Sequence, residues 1–172
     1  SARRRRCSGA GAGEARGDPG DRADGLVRGV REGHGVQVHR LEDSRQSQRR
    51  FDPATRSLWL SSALEPAQQA FQLGTQLALL EMGDTLDRLI ATAAFQGDPA
   101  SSKLARVGLA NYFAGALLLP YDLFLESAEQ LRYDIDLLGQ RFGVGFETVC
   151  HRLSTLQRPG APGVPFFFVR VD

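Results

Sequence analysis

The chain has 172 residues, 42% of them apolar, enough for one domain whose core needs neither disulfides nor a structural metal. Twenty-one basic side chains against 20 acidic ones leave a net charge of +1, which removes the bulk electrostatic case for nucleic-acid binding by this segment. Two distant cysteines, Cys7 and Cys150, and no apolar run near 18 residues argue against a disulfide framework and a membrane span; the expected location is cytoplasmic.

Residues 1–23 are Gly- and Arg-rich and hold no large apolar residue, so they read as a disordered tail that cannot offset its ordering entropy. Arg3–Arg6 could touch phosphates, but a solvated linker is the ordinary reading of such a run. From Asp24 the apolar positions Leu26, Val27 and Val30 predict a helix of three turns or fewer before Gly33 and Gly35. Val36–Val38 alternates like a strand. Arg49–Phe51 and Ser57–Leu60 read as two strands joined by the turn Asp52-Pro53-Ala54-Thr55, with Leu58 and Leu60 on one face and Trp59 on the other.

After Ser62 the period becomes helical. Leu64, Ala67, Phe71, Gly74, Leu77 and Ala78 share a face up to about Met82, and Leu86, Leu89, Ile90 and Ala93 continue after Gly83-Asp84. Asp98-Pro99 signals a helix start, and Leu104, Val107, Phe113, Ala114, Leu117 and Leu118 form the predicted apolar face before Pro120. Leu123, Phe124, Ala128 and Leu131 predict the next helix. Ile135–Arg141 and Phe146–Leu156 follow as a short pair around Gly143–Gly145, and Phe166–Val171 as a last strand. That order is α+β and helix-dominated.

FQLGTQLALLE, at Phe71–Glu81, resembles the metal-binding helix of the ImmA/IrrE family of metallopeptidase-like proteins, of the form F-x-L-A-H-E-L-G-H. There two His four residues apart grip zinc and the intervening Glu is the general base. Carried across, the two His positions are Thr75 and Leu79 and the Glu position is Gln76, so none of the three can do that chemistry. LANYFAGALLLP, at Leu109–Pro120, resembles the family's following helix, whose third zinc ligand lies just upstream of the Ala-Asn pair; Val107, Gly108 and Leu109 stand there instead. The resemblance implies a zincin-like domain with a small sheet, no bound metal and no enzymatic activity.

The stretch Leu131–Asp172, with RRFDPATRSLWLS and the helix at Phe71, is similar to the actinobacterial short-chain fatty acyl transcriptional regulators, and the similarity runs from about Gly25 to Asp172. Members have an amino-terminal helix-turn-helix, this middle domain and a carboxy-terminal cysteine region; related members sense acyl-CoA and some carry an iron–sulfur cluster. The expectation is therefore an effector-sensing domain over residues 24–172 that lacks both flanking parts. It would hold no cofactor, because a cluster would belong downstream of Asp172, and it would meet DNA through a domain absent here. A homo-oligomer is possible and no membrane partner is expected. A vacated cleft lined by Leu79, Tyr112 and Phe113 would suit a short acyl chain. Lys103, Arg106 and Arg132 are candidates for pairing with coenzyme A phosphates, against the ordinary reading of solvated charge.

Two other classes stay open: a ligand-free interaction or dimerisation module, and a residual metallopeptidase. The tandem helices after Asp136 also resemble a small helix-turn-helix that would place Thr148, His151, Arg152 and Thr155 in a major groove. Against that, Phe146, Val149, Cys150 and Leu153 recur at the spacing of plain core packing. His34 and His39, five apart in a loop-to-strand segment, have no acid or thiol placed to complete a metal site, and Cys150 reads as a buried thiol.

Overall fold

The computed structural model describes residues 19–42, 47–91 and 98–169. The expectations on Arg3–Arg6, Cys7 and Ala93 lie outside the described residues. The first helix, α1, spans Pro19–His34. It starts before the expected Asp24 and runs longer, with Asp21 in its first turn and Arg31 and His34 in its last, each complementing the helix dipole. Gly35, at φ +63°, closes it in the left-handed conformation, its N–H donating to the Arg31 carbonyl at 2.9 Å.

Three strands follow: β1 (Gln37–Leu41), β2 (Arg49–Asp52) and β3 (Ser57–Ser61). Strand β3 lies in the middle, parallel to β1 and antiparallel to β2. Val36, expected in the first strand, instead enters the core. The register puts Val38, Leu58 and Phe51 in one row on the core face, and His39, Trp59 and Arg50 in one row on the other. In that outer row His39 stacks on Trp59 with ring centres 5.6 Å apart, and the Arg50 guanidinium lies 5.8 Å from the Trp59 ring. The β2–β3 turn is held by Asp52, which accepts from the Ala54 N–H at 2.9 Å and the Thr55 hydroxyl at 3.0 Å.

The remaining helices are α2 (Pro66–Glu81), α3 (Gly83–Ile90), α4 (Pro99–Leu118), α5 (Tyr121–Gln130), α6 (Ile135–Phe142) and α7 (Phe146–Ser154). The fold is thus α+β and helix-dominated, with a small sheet. Asp98 caps α4 by accepting from the Ala100 and Ser101 N–H groups, and Asp134 caps α6 by accepting from Leu137. Helix α2 is the hub, packed between α1 and α4. The main core joins Val30, Leu58, Leu73, Phe124, Phe142, Val149 and Leu153, and Phe124 meets Phe142 at 5.3 Å.

The packing differs from expectation in several places, and Leu89 of α3 is exposed. On α4 the buried line is Ala110, Ala114 and Leu118, while Leu104, Val107 and Leu117 are exposed. The reason is that α2 approaches closely enough to demand small residues: a Cβ on Gly74 would stand 3.2 Å from that of Ala114. Phe146, at the start of α7, is exposed instead of packed. Residues 164–169 form no strand. They run as a strap, with the Val164 N–H on the Tyr133 hydroxyl, the Phe166 ring on Tyr133 and the Phe168 ring on His151. No single described helix is long and apolar enough to cross a membrane.

Candidate functional site

Two places matter: the contact between α2 and α4, where metal-site positions were expected, and a cleft where α4, α5 and α7 meet. At the first, Thr75 is 1% exposed and Gln76 is buried beside it. The Thr75 hydroxyl lies 2.9 Å from the Phe71 carbonyl and 3.1 Å from the Asn111 Oδ1 of α4. Leu79, one turn on, is half-buried with Phe113 against Ala78, Leu86 and Ala110. These positions therefore knit two helices together. Among the described residues no group of three His, Cys, Asp or Glu side chains could hold a metal ion.

The candidate basic rim is dispersed. Arg106 is held by Asp87, Nε to Oδ1 at 2.8 Å. Lys103 is exposed on the first half of α4, and Arg132 is exposed in the α5–α6 turn with a positive φ of 53°. His34 does meet an acid in space, Glu81 at 3.0 Å, which its sequence neighbours did not reveal.

The α7 candidates divide. His151 is exposed and lies 3.7 Å from Glu147, and Thr148 is half-buried. Arg152, which the helix-turn-helix alternative would put in a groove, is only 5% exposed and points inward; its Nε donates to the Leu119 carbonyl at 2.8 Å. The physical reason is helical spacing: Val149, Arg152, Leu153 and Leu156 share the face that packs on the core. Thr155 spends its hydroxyl on the Arg152 carbonyl at 2.8 Å. Cys150 is buried, and desolvation pushes its thiol pKa up, as the buried-thiol reading expects.

Around Arg152 the chain forms an open cleft of about 560 Å³, lined also by Tyr112, Tyr121, Thr155 and Arg158. Tyr121 is its floor: the Arg152 and Arg158 guanidinium carbons lie 5.6 and 4.0 Å from its ring centre. The Tyr121 hydroxyl donates to the Ala161 carbonyl and accepts from the Arg158 N–H, both at 2.9 Å, fixing the segment after α7. Burial lowers the Arg152 pKa, the Tyr112 and Tyr121 hydroxyls oppose that, and the like charge of Arg158 adds to it. Of the lining, only Tyr112 was a predicted ligand residue. Tyr121 and Arg158 carry no periodic signal, but an arginine on the apolar face of α7 was a readable clue to a polar pocket behind it. A second, apolar groove lies between α1 and α4, lined by Leu26, Leu117 and Leu123.

Comparison with known proteins extends this picture. Residues 31–154 match the family model described as the IrrE N-terminal-like domain. The chain is 59% identical over 129 residues to the HTH-type transcriptional regulator PrpR of Mycobacterium tuberculosis, covering 73% of this chain and 26% of that regulator. It is 48% identical over 154 residues to the HTH-type transcriptional regulator RamB of the same species, covering 89% and 32%. To the propionyl-CoA carboxylase regulator of Cereibacter sphaeroides it is 53% identical over 125 residues, covering 70% and 27%. A solved structure of a Mycobacterium tuberculosis transcriptional regulator superposes with a TM-score of 0.78 at 50% identity, over 83% of this chain and 43% of that one. The chain thus spans about a quarter to a third of the length of the curated relatives it matches. With the family model covering most of the folded region and the relatives sharing its sequence at this level, the chain belongs to the IrrE N-terminal-like domain family.

Proposed function

We propose that this chain is the effector-sensing domain of a transcriptional regulator of short-chain fatty acid metabolism, that its effector is a short-chain acyl-CoA, and that it performs no hydrolysis. DNA would be met through another domain of the regulator. The observation that carries the reading is the Thr75–Asn111 contact: the position that the resemblance gives to the first metal-binding His is a buried Thr joining α2 to α4, and Gln76 stands at the position of the general base. A scaffold so altered keeps its shape and loses its reaction, and relatives named as regulators, one of them of propionyl-CoA carboxylase, support a signalling role. Leu79 and Phe113 are the candidate acyl contacts; Tyr112, the third candidate, lines the cleft around Arg152 instead. Lys103, Arg106 and Arg132 are the candidate coenzyme contacts, Arg106 after release from Asp87.

The test is a melting series with acetyl-, propionyl- and butyryl-CoA against free coenzyme A, repeated on Phe113→Ala. A ligand present at a hundred times its dissociation constant adds about 2.7 kcal/mol, well within the range of a melt. The expected result is an acyl-dependent rise that Phe113→Ala reduces. No rise above the coenzyme A control removes the effector reading. One zinc per chain after dialysis, with chelator-sensitive proteolysis, would restore the metallopeptidase.

A second reading, a ligand-free interaction module, draws on Leu104, which is 74% exposed one turn from exposed Val107 on α4. Concentration-dependent self-association without any acyl-CoA effect would favour it.

A further inference from the structure

Arg152 is a buried cation without a carboxylate partner among the described residues. None of the ion pairs among the described residues includes it; its Nε donates to the Leu119 carbonyl, and its side chain lines the cleft beside Tyr112, whose hydroxyl hydrogen-bonds to it. A desolvated guanidinium is costly unless an anion compensates it. Here the cost is compounded, because Arg158 brings a second positive charge over the same Tyr121 ring, and among the described residues its ion-pair partner is the exposed Asp122, at 2.8 Å. Capping the end of α4 explains Nε alone; it does not explain why a second arginine is held against the first.

The same cleft opens at the first residue of α5, a helix start with no side-chain cap. Its positive dipole end adds to the field of the two arginines. Tyr112 supplies a hydroxyl at the rim.

We propose that the cleft formed by Tyr112, Tyr121, Arg152 and Arg158 is a phosphoryl-binding site for the diphosphate or phosphate monoester of a small molecule. Two guanidiniums match a multiply charged oxyanion, and the fork of Arg152 can take two of its oxygens at once. A volume of about 560 Å³ holds a diphosphate with part of the group it is attached to. A nucleic-acid backbone is a poor source for the same phosphate, because Arg152 is only 5% exposed and does not stand out from the surface to meet a duplex. The proposal goes beyond the effector reading, since any small diphosphate would satisfy it whatever acyl group follows.

The experiment is titration calorimetry of the intact chain with pyrophosphate, inorganic phosphate and acetate at constant ionic strength. One saturable site is expected for pyrophosphate, weaker binding for phosphate and none for acetate. Arg158→Gln, at an exposed position, should weaken pyrophosphate by about tenfold or more, as loss of a charge-assisted contact implies, and Tyr112→Phe by severalfold. Arg152→Lys, which keeps the charge but loses the fork, should weaken it as well; if that variant fails to fold, Arg158→Gln and Tyr112→Phe still decide. No saturable pyrophosphate site, equal binding of acetate, or unchanged affinity in both Arg158→Gln and Tyr112→Phe overturns the proposal. Pyrophosphate binding without any acyl-CoA preference keeps this site and removes the effector reading. An acyl-CoA preference in a chain with no pyrophosphate site does the reverse.

Discussion

The Thr75 hydroxyl stands 3.1 Å from the Asn111 side-chain oxygen, bridging α2 and α4. Because Thr75 is buried and Asn111 is exposed, the bond is asymmetric: losing Thr75 frees Asn111 to find water, whereas losing Asn111 leaves the hydroxyl with Phe71 alone. Thr75→Val and Asn111→Ala are each expected to lower unfolding stability by about 1 kcal/mol. The double variant should cost less than their sum, and denaturant unfolding of the four proteins in a cycle reads that coupling.

Helix contact at Gly74 gives a prediction of opposite sign at two glycines. A Cβ there meets the Ala114 Cβ at 3.2 Å and its Cα at 3.4 Å, so Gly74→Val forces the helices apart and should cost about 2 kcal/mol. Gly29, exposed on α1 with nothing within 4 Å of an added Cβ, gains helix propensity instead. Gly29→Ala should stabilise by about 0.5–1 kcal/mol. Thermal melts of both variants check the pair.

Cys150 should resist alkylation. Its side chain is buried in α7 and desolvation raises its pKa, so the reactive thiolate is scarcer at neutral pH than in a free thiol. Iodoacetamide labelling followed by peptide mapping should show slow modification of Cys150 in the native chain and fast modification in denaturant. Equal rates would show that α7 opens readily.

Asp98 sets an acid limit on α4. The Ser101 hydroxyl and the Ala100 and Ser101 N–H groups hold its carboxyl below the usual carboxylate range. A depressed folded-state pKa means that this stabilisation is complete above the unfolded value of about 3.9 and is lost as pH falls through the folded value. Asp98→Ala should therefore melt below the parent chain at neutral pH, and the two should converge in strong acid. A gap that stays constant across the acid range would show that the carboxylate charge does not matter to the cap.

Local signals were legible in the sequence because each is written within a few residues. Asp98-Pro99 opened α4, Asp52-Pro53 turned β2 into β3, and the alternation in Ser57–Leu60 put Trp59 opposite Leu58, as the register shows. The motif at Phe71–Glu81 was enough to indicate the family, because the residues flanking the lost metal positions still carry its pattern.

What neighbours decide was not legible. Periodicity reports that one face of a helix is apolar, but not which partner will meet it or how closely. It assigned Leu104 and Val107 to the core of α4, whereas the tight approach of Gly74 selected Ala110 and Ala114. It left Arg152 free to point outward, whereas the core under α7 drew it in. The cleft itself joins Tyr112, Tyr121, Arg152 and Arg158 from α4, α5, α7 and the segment after them. No local pattern links residues so far apart, because only the packing of those helices brings their charges and hydroxyls to one place.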